Sequence, residues 1–285
     1  MPIDATSALV RALSFIAMFQ ASGAAMDMAL FGSRLQQSAP AIRKLGVVAA
    51  IAGLVLVAAH YALEAGRMAG ALSGVFDPSL QQLVFDSPMR SAAGWRLAGL
   101  VMIASSLWRE GRAATAIALA GALCVAIAFT FVGHAADESR AAWLAIALTL
   151  HLLVVAFWFG SLVPLIVISR VESGQLASQV VARFTRIATV LVPGLFVFGL
   201  ALTLALVDSW TVFGESYGLL LIGKVLGFAL LMALASLNKW RYGPAIAHAP
   251  AAAVTFQRVV AAEYVLICAV LLITAVMTTF FSPEH

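Results

Sequence analysis

The stretch "GVVAAIAGLVLVAAHYALEAGRM", residues 46–68, decides the fold. It belongs to an apolar run long enough to cross a bilayer, because a helix rising about 1.5 Å per residue covers roughly 30 Å of hydrocarbon in about 20 residues. Yet His60 and Glu64 stand four residues apart near its end, followed by Arg67 and Met68. Comparable runs recur along the chain, and hydropathy predicts eight spanning helices, at roughly 8–31, 45–66, 91–108, 113–133, 140–168, 184–207, 217–240 and 257–281. Of the 285 residues 63% are hydrophobic and 11% charged, with a mean hydropathy of +1.02; soluble domains carry about a quarter charged residues. No ten-residue segments alternate with period two, so a lipid-facing barrel is excluded and each backbone polar group must be satisfied within a helix. The expected fold is an all-α polytopic membrane bundle, a single membrane domain over 1–285, with helices one to four over roughly 8–133 and five to eight over roughly 140–281.

The first run contains "LSFIAMFQASGAAMDMALFG". It is too long for a signal-peptide core, Asp4 precedes it and Arg11 is its only upstream cation, so it is read as a retained helix. Cys124 and Cys268 lie inside predicted spans without CxxC spacing and read as packed thiols. The pI near 9.4 does not imply nucleic acid, since no soluble segment exists to form a basic face; lipid is the partner that composition implies. The charges instead set topology. Eleven cations fall in loops one, three, five and seven, against five on the other side, which places both termini outside, in the periplasm of a bacterium. Between helices two and three, "FDPSLQQLVFDSP" starts at Asp77 before Pro78, carries Leu80, Leu83 and Val84 on one face and stops at Pro88, which predicts a short helix lying on the outer surface, either a structural lid or a partner's docking site.

Ionisable groups inside spans are costly unless paired or wet, so each is a candidate functional residue. His60, Glu64 and Met68 share one helix face, and a mixed nitrogen, carboxylate and thioether set suits copper. Equally, Glu64 can serve only to orient His60, with Met68 as packing. His134, in "FVGHAADES", ends helix four at the same outer level, and His151, in "LHLLVVAFWFG", lies about twelve residues into helix five, within reach of a site lined by His60. Trp158 shares the face of His151, with Gly160 nearby permitting close helix approach. Lys224 and Glu263 sit on adjacent helices as candidates for a buried ion pair, though at different depths. Asp27, near the inner end of helix one, is a candidate gate or a snorkelling charge, while Met26 and Met28 around it point apart and read as packing.

The segments "LHLLVVAFWFGSLVPL", "YGLLLIGKVLGFALLMALASLNKWR" and "EYVLICAVLLITAV" together resemble the copper-resistance D (CopD) family of bacterial inner-membrane proteins. The resemblance is strongest over roughly 140–281, where His151, Trp158, Gly160, Lys224 and Glu263 match the family's pattern; His60 and His134 are assigned by position. It implies an eight-helix inner-membrane protein with periplasmic termini that moves copper ions from periplasm to cytoplasm in copper homeostasis, beside a separate periplasmic copper-binding partner of the CopC type. His60, His134 and His151, with Glu64, would then capture the metal beneath the outer surface. No Walker motif or phosphorylated-aspartate signature is present, so transport would follow the ion gradient or couple to another gradient, and no enzyme activity is expected. The alternative is a membrane b-type haem protein in which two of these histidines ligate iron and carry electrons; a third reading is a ligand-free scaffold.

Overall fold

The computed structural model describes residues 2–132, 141–206 and 216–281. Regular structure among the described residues is entirely helical: α1 (Pro2–Phe31), α2 (Ala39–Ala69), α3 (Pro78–Asp86), α4 (Pro88–Leu107), α5 (Arg112–Ile127), α6 (Ala141–Val171), α7 (Gly174–Leu206), α8 (Ser216–Leu237), the single turn α9 (Gly243–Ala245) and α10 (Pro250–Phe280). A 3-10 turn, Gly32–Arg34, follows α1, and a π-helical turn, Asn238–Tyr242, joins α8 to α9.

Among the described residues seven helical stretches are long and apolar enough to span a membrane, in α1, α2, α5, α6, α7, α8 and α10. The remaining expected span forms as α4 but falls short of that hydropathy, because its 20 residues include Arg90 and Arg96. It packs beside α2 and α5 all the same. Seven of the eight expected spans thus meet that measure among the described residues, and the eighth, α4, is a helix of more polar composition beside them. The helix expected between spans two and three is α3. The Asp77 carboxylate accepts from the Ser79 and Leu80 amides at 2.9 and 3.4 Å, Pro78 occupies the first turn, and Ser87 and Pro88 end it. Of its apolar residues Val84 is buried and Leu83 is exposed.

α1 and α6 form the centre of the bundle. Of the apolar window of each, 67% is buried, against 11% in α7 and in α8. They cross at Gly23 and Gly160, where a methyl group on either residue would overlap the other's backbone. Gln20 reinforces the crossing by donating through Nε2 to the Gly160 carbonyl at 2.8 Å. α1 also packs against α2, α5 and α10, while α2 and α6 scarcely touch. At the cation-rich end, Glu172 in the α6–α7 turn reaches the start of α2. Its Oε1 accepts from the Gln36, Gln37 and Ser38 amides at 3.1, 2.9 and 2.9 Å and from the Ser38 hydroxyl at 2.7 Å. Partial burial pushes this carboxyl up, but the Ser38, Gln37 and Gln36 hydrogen bonds outweigh it and hold the pKa below its ordinary 4.5.

Candidate functional site

The His60–Glu64 pair sits in a network that joins three helices. Arg11 of α1 donates through Nε to His60 Nε2 at 2.8 Å, through Nη1 to the Thr278 carbonyl of α10 at 2.6 Å, and through Nη2 to Glu64 Oε1 at 3.4 Å. Arg67 donates to Glu64 Oε2 at 2.9 Å, to the Thr279 carbonyl at 3.0 Å and to Asp4 Oδ1 at 3.4 Å. Two guanidinium groups thus fasten α1 and α2 to the carbonyls that end α10, as cations do at helix C-termini. A nitrogen that accepts from arginine carries no hydrogen, so His60 is a neutral imidazole whose Nε2 lone pair faces Arg11. A metal would need that lone pair, and so the departure of Arg11.

Further down, polar groups cluster around α6. Ser161 Oγ lies 2.8 Å from Asp27 Oδ1 and 2.6 Å from the Phe157 carbonyl oxygen, while Asp27, only 1% exposed, leaves Oδ2 without a partner. The hydroxyl has one hydrogen to give. Both contacts are hydrogen bonds when Asp27 carries a proton and donates, a state that also avoids burying a charge without a countercharge. Glu263 of α10 accepts from Asn238 Nδ2 at 2.6 Å and faces the Trp158 indole donor. Trp158, Asn238 and Glu263 line a cavity of about 210 Å³ bounded by α6, α7, α8 and α10. The Asn238 side chain is presented by the π-helical turn, a feature that recurs at functional sites, and its Oδ1 is buried without a partner. His151 turns toward α7: its Cε1 would lie 3.4 Å from a β-carbon on Gly199, and its buried Nδ1 makes no hydrogen bond of good geometry. Lys224 of α8 is its charged neighbour.

Two family models match this chain, "Copper resistance protein D-like, N-terminal domain" over residues 2–143 and "Copper resistance protein D" over residues 178–277. A relative from Pseudomonas syringae pv. tomato, named copper resistance protein D, is 30% identical over 223 residues, covering 73% of this chain and 71% of its own length. The chain belongs to the copper resistance protein D family. It is a multi-pass membrane protein of a copper-resistance family. No solved structure matches it. Within this family assignment the N-terminal match covers the Arg11–His60–Glu64 network, and the second match covers Lys224, Asn238 and Glu263. The part of α6 that carries His151, Trp158 and Ser161 falls between the two.

The structure brings together His60 and Glu64, with Nε2 3.5 Å from Oε1, and it brings together Trp158 and Glu263. Met68 is 56% exposed and lies outside the network. His60 and His151 turn to different neighbours, Arg11 and Gly199. His134 lies outside the described residues, and among the described residues no three His, Cys, Asp or Glu side chains group as a metal centre would. The Lys224–Glu263 ion pair does not form: Glu263 is taken by Asn238. The reason is depth. Lys224 is eight residues from the start of α8 and Glu263 seventeen from the end of α10, about 12 and 25 Å below the same face. Arg11, Arg67 and the buried Arg96 are the residues that sequence reasoning misses, because they count there only toward topology. Arg96 lies inside α4 with its guanidinium 4.4 Å over the Phe129 ring. Their position inside or beside an apolar run is the signal that could have found them.

Proposed function

We propose that the chain moves copper ions across the bacterial inner membrane from periplasm to cytoplasm, with copper as cargo. Membership of a copper-resistance family supports the metal. The observation that carries the path is the line of polar side chains on α6. Over an otherwise apolar stretch, Trp158 and Ser161 each meet an ionisable residue of another helix, Glu263 and Asp27, and His151 lies within electrostatic reach of Lys224. They descend over about 15 Å. His60 and Glu64 serve as the outer station, opened when Arg11 swings away. His151 follows as a second, with an unused nitrogen beside a like charge, so that it holds a cation weakly enough to release it. His134 is the third imidazole of this reading. A separate periplasmic copper-binding protein of the CopC type would supply the ion.

The test is cellular copper content with His60→Ala, His134→Ala and His151→Ala expressed singly at equal levels. The expected result is lower accumulation in each; unchanged copper in all three rejects the path. An absorbance spectrum of the purified, reduced protein gives an independent check. A sharp haem band would replace this reading with the haem alternative, in which His60 would have to give up Arg11 permanently.

A further inference from the structure

We propose that a recess on the cation-rich face binds the phosphate headgroup of an anionic phospholipid, gripped by Arg34, Arg183 and Arg186. The recess, of about 640 Å³, is lined by these three arginines with Gln179, Ala182 and Ile187. Arg34 ends the turn after α1, while Arg183 and Arg186 stand three apart on α7 and so share a helix face, a like-charge pairing that costs stability unless an anion bridges it. None of the three makes a hydrogen bond or ion pair within the protein among the described residues; Arg183 only lies 5.8 Å from the Phe31 ring centroid. The carboxylates that could neutralise them are engaged elsewhere. Glu110 accepts from Arg43 at 2.6 Å, and Glu172 Oε1 is taken by the start of α2. Three uncompensated guanidinium groups around one hollow match the geometry of a phosphodiester, which arginine grips in bidentate fashion.

The depth of the recess favours a lipid. Immediately after Arg186, residues 187–206 form an apolar helical stretch of the length that crosses the hydrocarbon, which sets Arg183 and Arg186 at headgroup level. Ile187 and Ala182 supply apolar wall where the glycerol and first methylenes would lie. By the positive-inside rule this face is cytoplasmic, the side on which basic pockets between helices take up anionic headgroups.

The test uses the purified full chain in mild detergent with equal amounts of phosphatidylglycerol and phosphatidylcholine, and native mass spectrometry to read which is retained. Wild type is expected to prefer phosphatidylglycerol, with roughly fivefold of preference from each arginine. R34Q/R183Q/R186Q should lose at least about tenfold of it with helicity unchanged, and R112Q, on the same face outside the recess, should lose none. Because Arg186 is exposed, R186Q alone serves if the triple variant does not fold. Equal retention of both lipids by wild type, or undiminished preference in the arginine variants, would overturn the proposal. Displacement of the lipid by millimolar inorganic phosphate would also overturn it, in favour of a soluble anion.

Discussion

At one end of the α1–α2 pair, Arg11, His60, Glu64, Arg67 and Asp4 form one connected network tied to the carbonyls of α10. In the part built from α7, α8 and α10, Lys224 has no ion-pair partner among the described residues and Glu263 rests on neutral donors beside a cavity. Packing follows the same division, with α1 central and α7 and α8 largely facing outward. The contrast teaches that charge in this bundle serves two ends. Paired charge locks helices together. Unpaired charge costs stability, which makes Lys224 a candidate for function.

The sharpest way to break that comparison is to remove one charge from each region and measure thermal unfolding in the same detergent. Glu64→Gln leaves Arg11 without a carboxylate and Arg67 with Asp4 alone, and is expected to cost about 3 kcal/mol. Lys224→Met, which removes an uncompensated cation, is expected to be neutral or to stabilise by up to about 1 kcal/mol. Equal losses in the two variants would abolish the distinction.

A smaller effect tests the pairing at the opposite end. Because hydrogen bonding holds Glu172 below its ordinary pKa of 4.5, its contribution is fully present above that value and is lost as pH falls through the depressed one. Glu172→Ala should cost about 1 kcal/mol at neutral pH, a helix-cap magnitude, and should flatten the acid limb of the stability profile. An unchanged limb would mean that Glu172 does not cap α2.

Asp27 refines the picture with almost no change in stability expected. If it carries a proton, infrared spectra of wild type contain a protonated-carboxyl stretch that Asp27→Asn removes. A difference spectrum that shows only a lost carboxylate would place a bare charge at the α1–α6 crossing.

The division between what sequence reveals and what it does not has a physical cause. Hydropathy locates the long helices, and Asp77 with Pro78 locates α3, because those signals are local. The pairing of His60 with Glu64 is equally local, one turn apart on one helix. Helix rotation is not. Whether His151 faces α2 or α7 depends on which side of α6 the glycine crossing at Gly23 and Gly160 turns toward α1, and no periodicity within α6 records that. The same holds for Arg11. Its position inside an apolar run is visible, but its reach to His60, Glu64 and Thr278 depends on the packing of three helices.

The central claim is that copper passes along α6. It is tested most directly by copper uptake into liposomes carrying the purified chain, comparing wild type with His151→Ala, a change at the rim of α7 away from the locked network. Wild type should load copper saturably above protein-free vesicles, and the variant should be slower by about tenfold, the effect typical of a weakened metal site. Equal uptake by the two proteins, or none by wild type, would contradict it.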